Sequence, residues 1–254
     1  KEVHTWSKLE NSHILPLRGI TLDLQRTLSI ISPWMVNESA KKYVRSGDVD
    51  PRPLLHDVAS GLHYLHTREE QVYHGDLKGD NVMISDGGRA LLADFGFSVL
   101  ASSSFSLPIT HPTGGTRAWM APEKWAGKRD SAAADVYSFA MLTVELFTRK
   151  LNPFHEEPTP PPEAIQNGKR PQRPTPEMTL TRLTDDWWKI CELGWDSDPS
   201  KRPTAKEILE SISQPKFKAT VGHSSFPLPH FSSQNNSTYL HLAFKRQEDH
   251  RMGG

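Results

Sequence analysis

Four side chains in one short stretch can do chemistry together. Asp76, Lys78 and Asn81 lie within His74-Gly75-Asp76-Leu77-Lys78-Gly79-Asp80-Asn81, and Asp94 follows in Asp94-Phe95-Gly96. A carboxylate such as Asp76 can take a proton from a hydroxyl. Lys78, two residues on, adds a positive point charge beside it. Asn81 and Asp94 offer hard oxygen atoms of the kind that magnesium takes. Each piece alone also fits an ordinary turn, because Asp, Asn and Gly are turn residues. The set, in this order, does not reduce to a series of turns.

Positioning these groups requires a hairpin. Val82-Met83-Ile84 and Ala90-Leu91-Leu92-Ala93 read as short strands, and Asp86-Gly87-Gly88 between them has hairpin chemistry. A hairpin over 82–93 would bring Asn81 and Asp94 together. Upstream, the spacing predicts a long helix from Pro51, with Leu54, Leu55, Val58, Leu62 and Leu65 on one face. Downstream, Ala132 to Phe147 is apolar nearly all round and should be a buried helix. Thr184 to Leu193 and Thr204 to Ile212 read as further helices with start signals at Thr184 and Pro203-Thr204. Residues 1–10 read as the end of a helix. Ile14 to Ile20 and Leu28 to Trp34 read as strands joined by a polar turn at Asp23. Residues 97–115, rich in Ser, Thr, Gly and Pro, form a long loop. The proline-rich stretch 152–176 leaves room for a short helix near Glu163 to Asn167. After Ser213 no periodicity is sustained, and 214–254 reads as a disordered tail.

Composition narrows the function classes. The chain has 254 residues with 30 Lys plus Arg against 30 Asp plus Glu, so its formal charge is zero. That balance gives no electrostatic case for nucleic acid or an anionic membrane as the main partner. No apolar run of about 18 residues is present to span a bilayer. The single cysteine, Cys191, excludes an intrachain disulfide, sits in an apolar helical stretch and reads as a core residue. A cytoplasmic setting is expected, with the nucleus as the other compartment this chemistry allows.

Asp76 to Asn81, Asp94-Phe95-Gly96 and Ala121-Pro122-Glu123, in this order and spacing, resemble the catalytic loop, metal-binding triplet and activation-segment end of the protein kinases. The resemblance covers residues 1 to about 213. It implies an α+β, protein-kinase-like fold: a mostly helical C-lobe over 37–213 and a partial N-lobe and hinge over 1–36, made of the end of αC and two strands. It implies transfer of the ATP γ-phosphate to Ser or Thr hydroxyls of protein substrates, with ATP and Mg2+ as cofactors. Asp76 would be the catalytic base, Lys78 would stand beside the transferred group, and Asn81 and Asp94 would hold the metal. Thr116, a few residues before Ala121, would bond the catalytic pair, and with Lys78 it favours Ser/Thr specificity. Glu2 would be the αC glutamate. Ser32-Pro33-Trp34-Met35 resembles the hinge, with Ser32 as gatekeeper, the Met35 backbone on the adenine and Met83 as its floor. Trp6, Leu17, His74 and Phe95 match the apolar stack that links the lobes. Asp135 would accept backbone N–H groups of the catalytic loop, and Arg202 would pair with Glu123. Gly114 to Glu123 and Asp185-Asp186-Trp187-Trp188 are similar to the tyrosine-kinase-like Ser/Thr group, in the form expanded in mushroom-forming fungi.

Two departures change the expectations. Gly75 stands where many kinases carry arginine, so phosphates on the loop serines and threonines would have no cationic anchor there, and activity should not need loop phosphorylation. The sequence also contains no Gly-x-Gly-x-x-Gly and no strand lysine for Glu2 to clasp. Slow turnover is therefore expected of these residues by themselves, as of an N-terminally truncated kinase, and the alternative function is a pseudokinase-like scaffold or binding module.

Overall fold

In chain order the computed structural model carries α1 (Glu2–Trp6), β1 (Gly19–Thr21), β2 (Ser29–Pro33), α2 (Ala40–Tyr43), α3 (Arg52–His66), β3 (Val72–Tyr73), β4 (Val82–Ile84), β5 (Ala90–Leu92), β6 (Val99–Leu100), α4 (Pro122–Trp125), α5 (Ala132–Thr148), α6 (Pro162–Gln166), α7 (Asp185–Gly194), α8 (Ala205–Ile212) and β7 (Leu240–Ala243). It describes residues 2–21, 29–97, 99–100, 115–154, 160–217 and 240–243. The mixture is α+β, with helices dominating after Ala40 and short antiparallel strands throughout.

Helix starts follow the local chemistry. Thr184 accepts the Trp187 N–H at the head of α7, and Ser131 accepts the Ala134 N–H at the head of α5. Thr204 and Glu207 close a reciprocal capping box on α8. α5 is buried from Ala134 to Thr148, as its continuous apolar run requires. Its hydroxyls escape the cost of burial by bonding back to the helix: Thr143 donates to the Phe139 carbonyl and Thr148 to that of Val144. α3 and α7 lie against α5, and α8 lies against α3. Their inward faces, including Leu55, Leu62, Leu65, Phe139 and Trp187, join Ile84 and Leu92 of the hairpin in the main core. Cys191 is fully buried in a second cluster on the far side of α5. Burial pushes its thiol well above the usual range, as befits a core residue.

The hairpin expected over 82–93 is present, with Val82 opposite Leu92 and Ile84 opposite Ala90. The expected strand Ile14 to Ile20 is shorter than its apolar pattern suggests: only Gly19–Thr21 pair with β2. Pro16, which has no N–H to donate, separates that pair from an isolated bridge between Ile14 and Leu92. The proposed turn at Asp23 lies outside the described residues, as does most of the expected loop 97–115, whose described ends instead carry β6 and a 3-10 turn from Gly115. Beyond Ser213, where the sequence suggests no structure, two described elements occur. Phe217 is buried in a 3-10 turn with its ring 5.6 Å from that of Trp187, and β7 adds to the free edge of β2 with Ile30 opposite Ala243.

Candidate functional site

The hairpin does what the spacing asked of it. The Ala93 N–H donates to the Asn81 carbonyl at 2.9 Å, so the residue before Asp94 is bonded to Asn81 itself. The Asn81 amide in turn donates to both the backbone carbonyl and the Oδ2 of Asp76, each at 2.8 Å. Lys78 Nζ reaches the same Oδ2 at 2.8 Å. Among the described residues neither of these donors takes Asp76 Oδ1. Asp94 holds a left-handed backbone, φ 58°, with its carboxylate accepting the Gly96 N–H at 3.3 Å. For a residue with a Cβ that conformation is strained, a form of strain that concentrates at functional sites.

The loop is held from behind by α5. Asp135 accepts the His74 N–H at 2.8 Å, the Gly75 N–H at 2.9 Å and His66 Nε2 at 2.9 Å. Burial acts to raise its pKa. The hydrogen bond and charge of His66, the charge of His74 and the Gly75 N–H outweigh that and hold the carboxyl below its usual range. His74 also reaches the Ala93 carbonyl at 3.0 Å and stacks near Phe95, which in turn meets Trp6 at 5.6 Å between ring centroids. The Trp6, Phe95 and His74 rings thus run from α1 to the His74–Asn81 loop, with Leu17 packed on the same core. Arg202 clasps Glu123 through two parallel bonds of 2.7 and 2.9 Å and also donates to the Ala133 and Asp196 carbonyls.

Glu145, one of the residues that sequence reasoning missed, supports the loop a second time. Its Oε2 accepts the Gly79 N–H at 2.9 Å and the Trp119 indole N–H at 2.8 Å, joining the His74–Asn81 loop to the segment before α4. A larger residue at 79 would displace that carboxylate, since a Cβ there would stand 2.8 Å from Glu145 Oε1. That oxygen is buried without a hydrogen-bond partner among the described residues. Burial, opposed by the two N–H donors, raises the Glu145 pKa from 4.5 to about 7. The unfolded chain releases this proton near pH 4.5 and the folded chain near 7. Unfolding between those values releases a proton, so rising pH weakens the fold. Glu145→Gln keeps the acceptor and has no proton to lose. Its stability should match the parent below pH 4.5 and exceed it by about 3 kcal/mol above pH 7, read as the gap between urea unfolding curves. Parallel curves across that range would contradict this.

The residues expected to line a nucleotide cleft come from scattered positions. Ser32 is buried in β2, and Met35 and Met83 are half-buried against the main core. Met83 pairs with Leu91 and bridges to Ser39, while the Met35 carbonyl accepts the Glu38 N–H at 2.9 Å. Asn81 and Asp94 supply one amide and one carboxylate oxygen donor. That is a sparse set which suits magnesium, an ion that keeps waters and shares substrate phosphates, better than a metal caged by protein alone. Among the described residues no cluster of three or more His, Cys, Asp and Glu could hold an ion. The side chains of Glu2 and Thr116 lie outside the described residues. No described helix is long and apolar enough to cross a membrane.

Comparison with known proteins agrees with this geometry. The family model described as protein tyrosine and serine/threonine kinase matches residues 1–212. The chain is 28% identical to the receptor-interacting serine/threonine-protein kinase 2 of Bos taurus over 98% of its own length and 49% of that protein's. It is 30% identical to the receptor-interacting serine/threonine-protein kinase 3 of Homo sapiens, covering 82% of this chain and 43% of the relative. It is 33% identical to the dual specificity protein kinase shkE of Dictyostelium discoideum, covering 73% and 26%. The chain thus spans about half or less of the length of these relatives.

Proposed function

The chain belongs to the protein tyrosine and serine/threonine kinase family, in its tyrosine-kinase-like group, and from that premise we propose that it transfers the γ-phosphate of ATP to Ser or Thr hydroxyls of proteins. The single observation that supports this reading is the Asp76 carboxylate, whose Oδ2 is held by both Lys78 and Asn81. Asp76 Oδ1 would accept the hydroxyl proton as the new P–O bond forms and the bond to the ADP oxygen breaks. Lys78 would offset charge on the phosphoryl oxygens. Asn81 and Asp94 would hold the magnesium, which neutralises phosphate charge when bound. Ser32, Met35 and Met83 would contact the adenine and Glu2 would support phosphate binding from α1. Residues 37–213 would form the catalytic lobe and 1–36 its hinge side.

Specificity for Ser and Thr rests on Lys78 and on Thr116 beside it in the family pattern. The relatives' own names include dual specificity and tyrosine kinases, and the residue that takes the label distinguishes these acceptor classes. The chain should incorporate labelled γ-phosphate into a generic acceptor protein slowly, with magnesium required and label on Ser and Thr. Label on Tyr alone would overturn the specificity. Incorporation no higher than that of Asp76→Asn would overturn the transferase reading in favour of the scaffold alternative.

A further inference from the structure

Gly75 is bonded through both its backbone N–H and its carbonyl. Its backbone lies at φ 79°, a conformation glycine enters freely. Its N–H is bonded to Asp135, as described. Its carbonyl accepts Lys124 Nζ at 2.7 Å. The peptide that carries this carbonyl is the one that leads into Asp76, so the orientation of that carbonyl sets where the Asp76 side chain begins.

Lys124 is an unexpected residue to find there. It follows Ala121-Pro122-Glu123 in a four-residue helix and is only 8% exposed. Lysines are rarely buried so far unless the charge is met. Here it is met by Asp130, 2.5 Å away, just before the Ser131 cap of α5. The preceding residue, Glu123, is fixed by Arg202. One ammonium therefore joins three separate segments: the end of the activation segment, the start of α5 and the peptide before Asp76.

We propose that Lys124 is a positioning residue for phosphoryl transfer, clamping the Gly75 carbonyl so that Asp76 is held in register with the activation segment. The clamp is built from unmodified side chains and needs no phosphate to close it. This rests on the transferase reading above, but the clamp itself can be tested without turnover. Misplacement of a reacting group by about 1 Å can cost 10²-fold in rate. Lys124→Met should therefore lower kcat about 10- to 100-fold while the KM for MgATP moves less than about 2-fold. Lys124→Arg, which keeps a cation and a donor, should recover most of the rate. In parallel, amide hydrogen exchange over residues 74–81 should quicken about 10-fold or more in Lys124→Met, with α5 unchanged and Lys124→Arg near the parent.

If the parent chain shows no transfer, the exchange measurement alone decides the clamp, so failure of the kinase reading and failure of this one remain distinct. An unchanged loop exchange in Lys124→Met, or a uniform acceleration that includes α5, would overturn the proposal, as would an unchanged kcat in an active chain. If Lys124→Met does not fold, Asp130→Asn takes its place, since it leaves the ammonium but removes its anchor. It should quicken loop exchange selectively by a few-fold, and no change would overturn the clamp.

Discussion

Arg202→Ala should lower the unfolding free energy by about 3–5 kcal/mol, the usual cost of stranding one member of a buried ion pair. The Arg202 side chain is fully buried and the Glu123 side chain nearly so. Removing the guanidinium leaves the Glu123 carboxylate without its two bonds and takes one donor each from the Ala133 and Asp196 carbonyls. Its contact over the Tyr137 ring, 5.2 Å from the centroid, is lost as well. The measurement is the shift in urea midpoint at constant slope. The exposed pair Lys206 and Glu210, 3.7 Å apart, provides the contrast: Lys206→Ala should leave the midpoint where it was. A small shift for Arg202→Ala would mean that water enters and solvates Glu123, and the pair would then be a minor contributor.

Asp76→Asn should reduce phosphate transfer about 10²- to 10⁴-fold, the range attributable to a positioned general base. The amide fills the same space but cannot accept the hydroxyl proton. Binding of MgATP should persist, because the proposed metal oxygens belong to Asn81 and Asp94. The Asp76 backbone carbonyl still accepts the Asn81 amide in the variant, so the loop keeps part of its tie. A fall in kcat with an unchanged nucleotide KM would locate the loss in the chemical step. A variant that transfers at the parent rate would remove Asp76 from the role of base and leave it as a structural partner of Lys78 and Asn81.

Much of the fold was legible because it follows local rules. The caps at Thr184 and Thr204, the run of apolar residues in α5 and the 82–93 hairpin are properties of consecutive residues. The helices α2 and α4 were not legible, since four residues are too few to show a period. Pro16 could have warned that the strand before it would break, because it has no N–H to give. Phe217, in a stretch without pattern, was fixed by a long-range contact with Trp187.

The candidate site divides the same way. Asp76, Lys78, Asn81 and Asp94 declare themselves by type, order and spacing, since a short loop and a hairpin leave few ways to arrange them. Arg202 and Glu123 were paired from the family pattern, and the structure adds their bidentate geometry. Glu145 and Lys124 give no such signal. In sequence Glu145 is a carboxylate inside an apolar run and Lys124 a basic residue in a stretch without a period, and neither names its partner. Only the tertiary structure buries them and aims them at Gly79 and Gly75, residues 66 and 49 positions away. By itself, then, the sequence determined which groups could do the chemistry, because those groups are neighbours along the chain. The packing of α4 and α5 decided what holds them still, because a buried charge must find its partner wherever the fold brings one within reach.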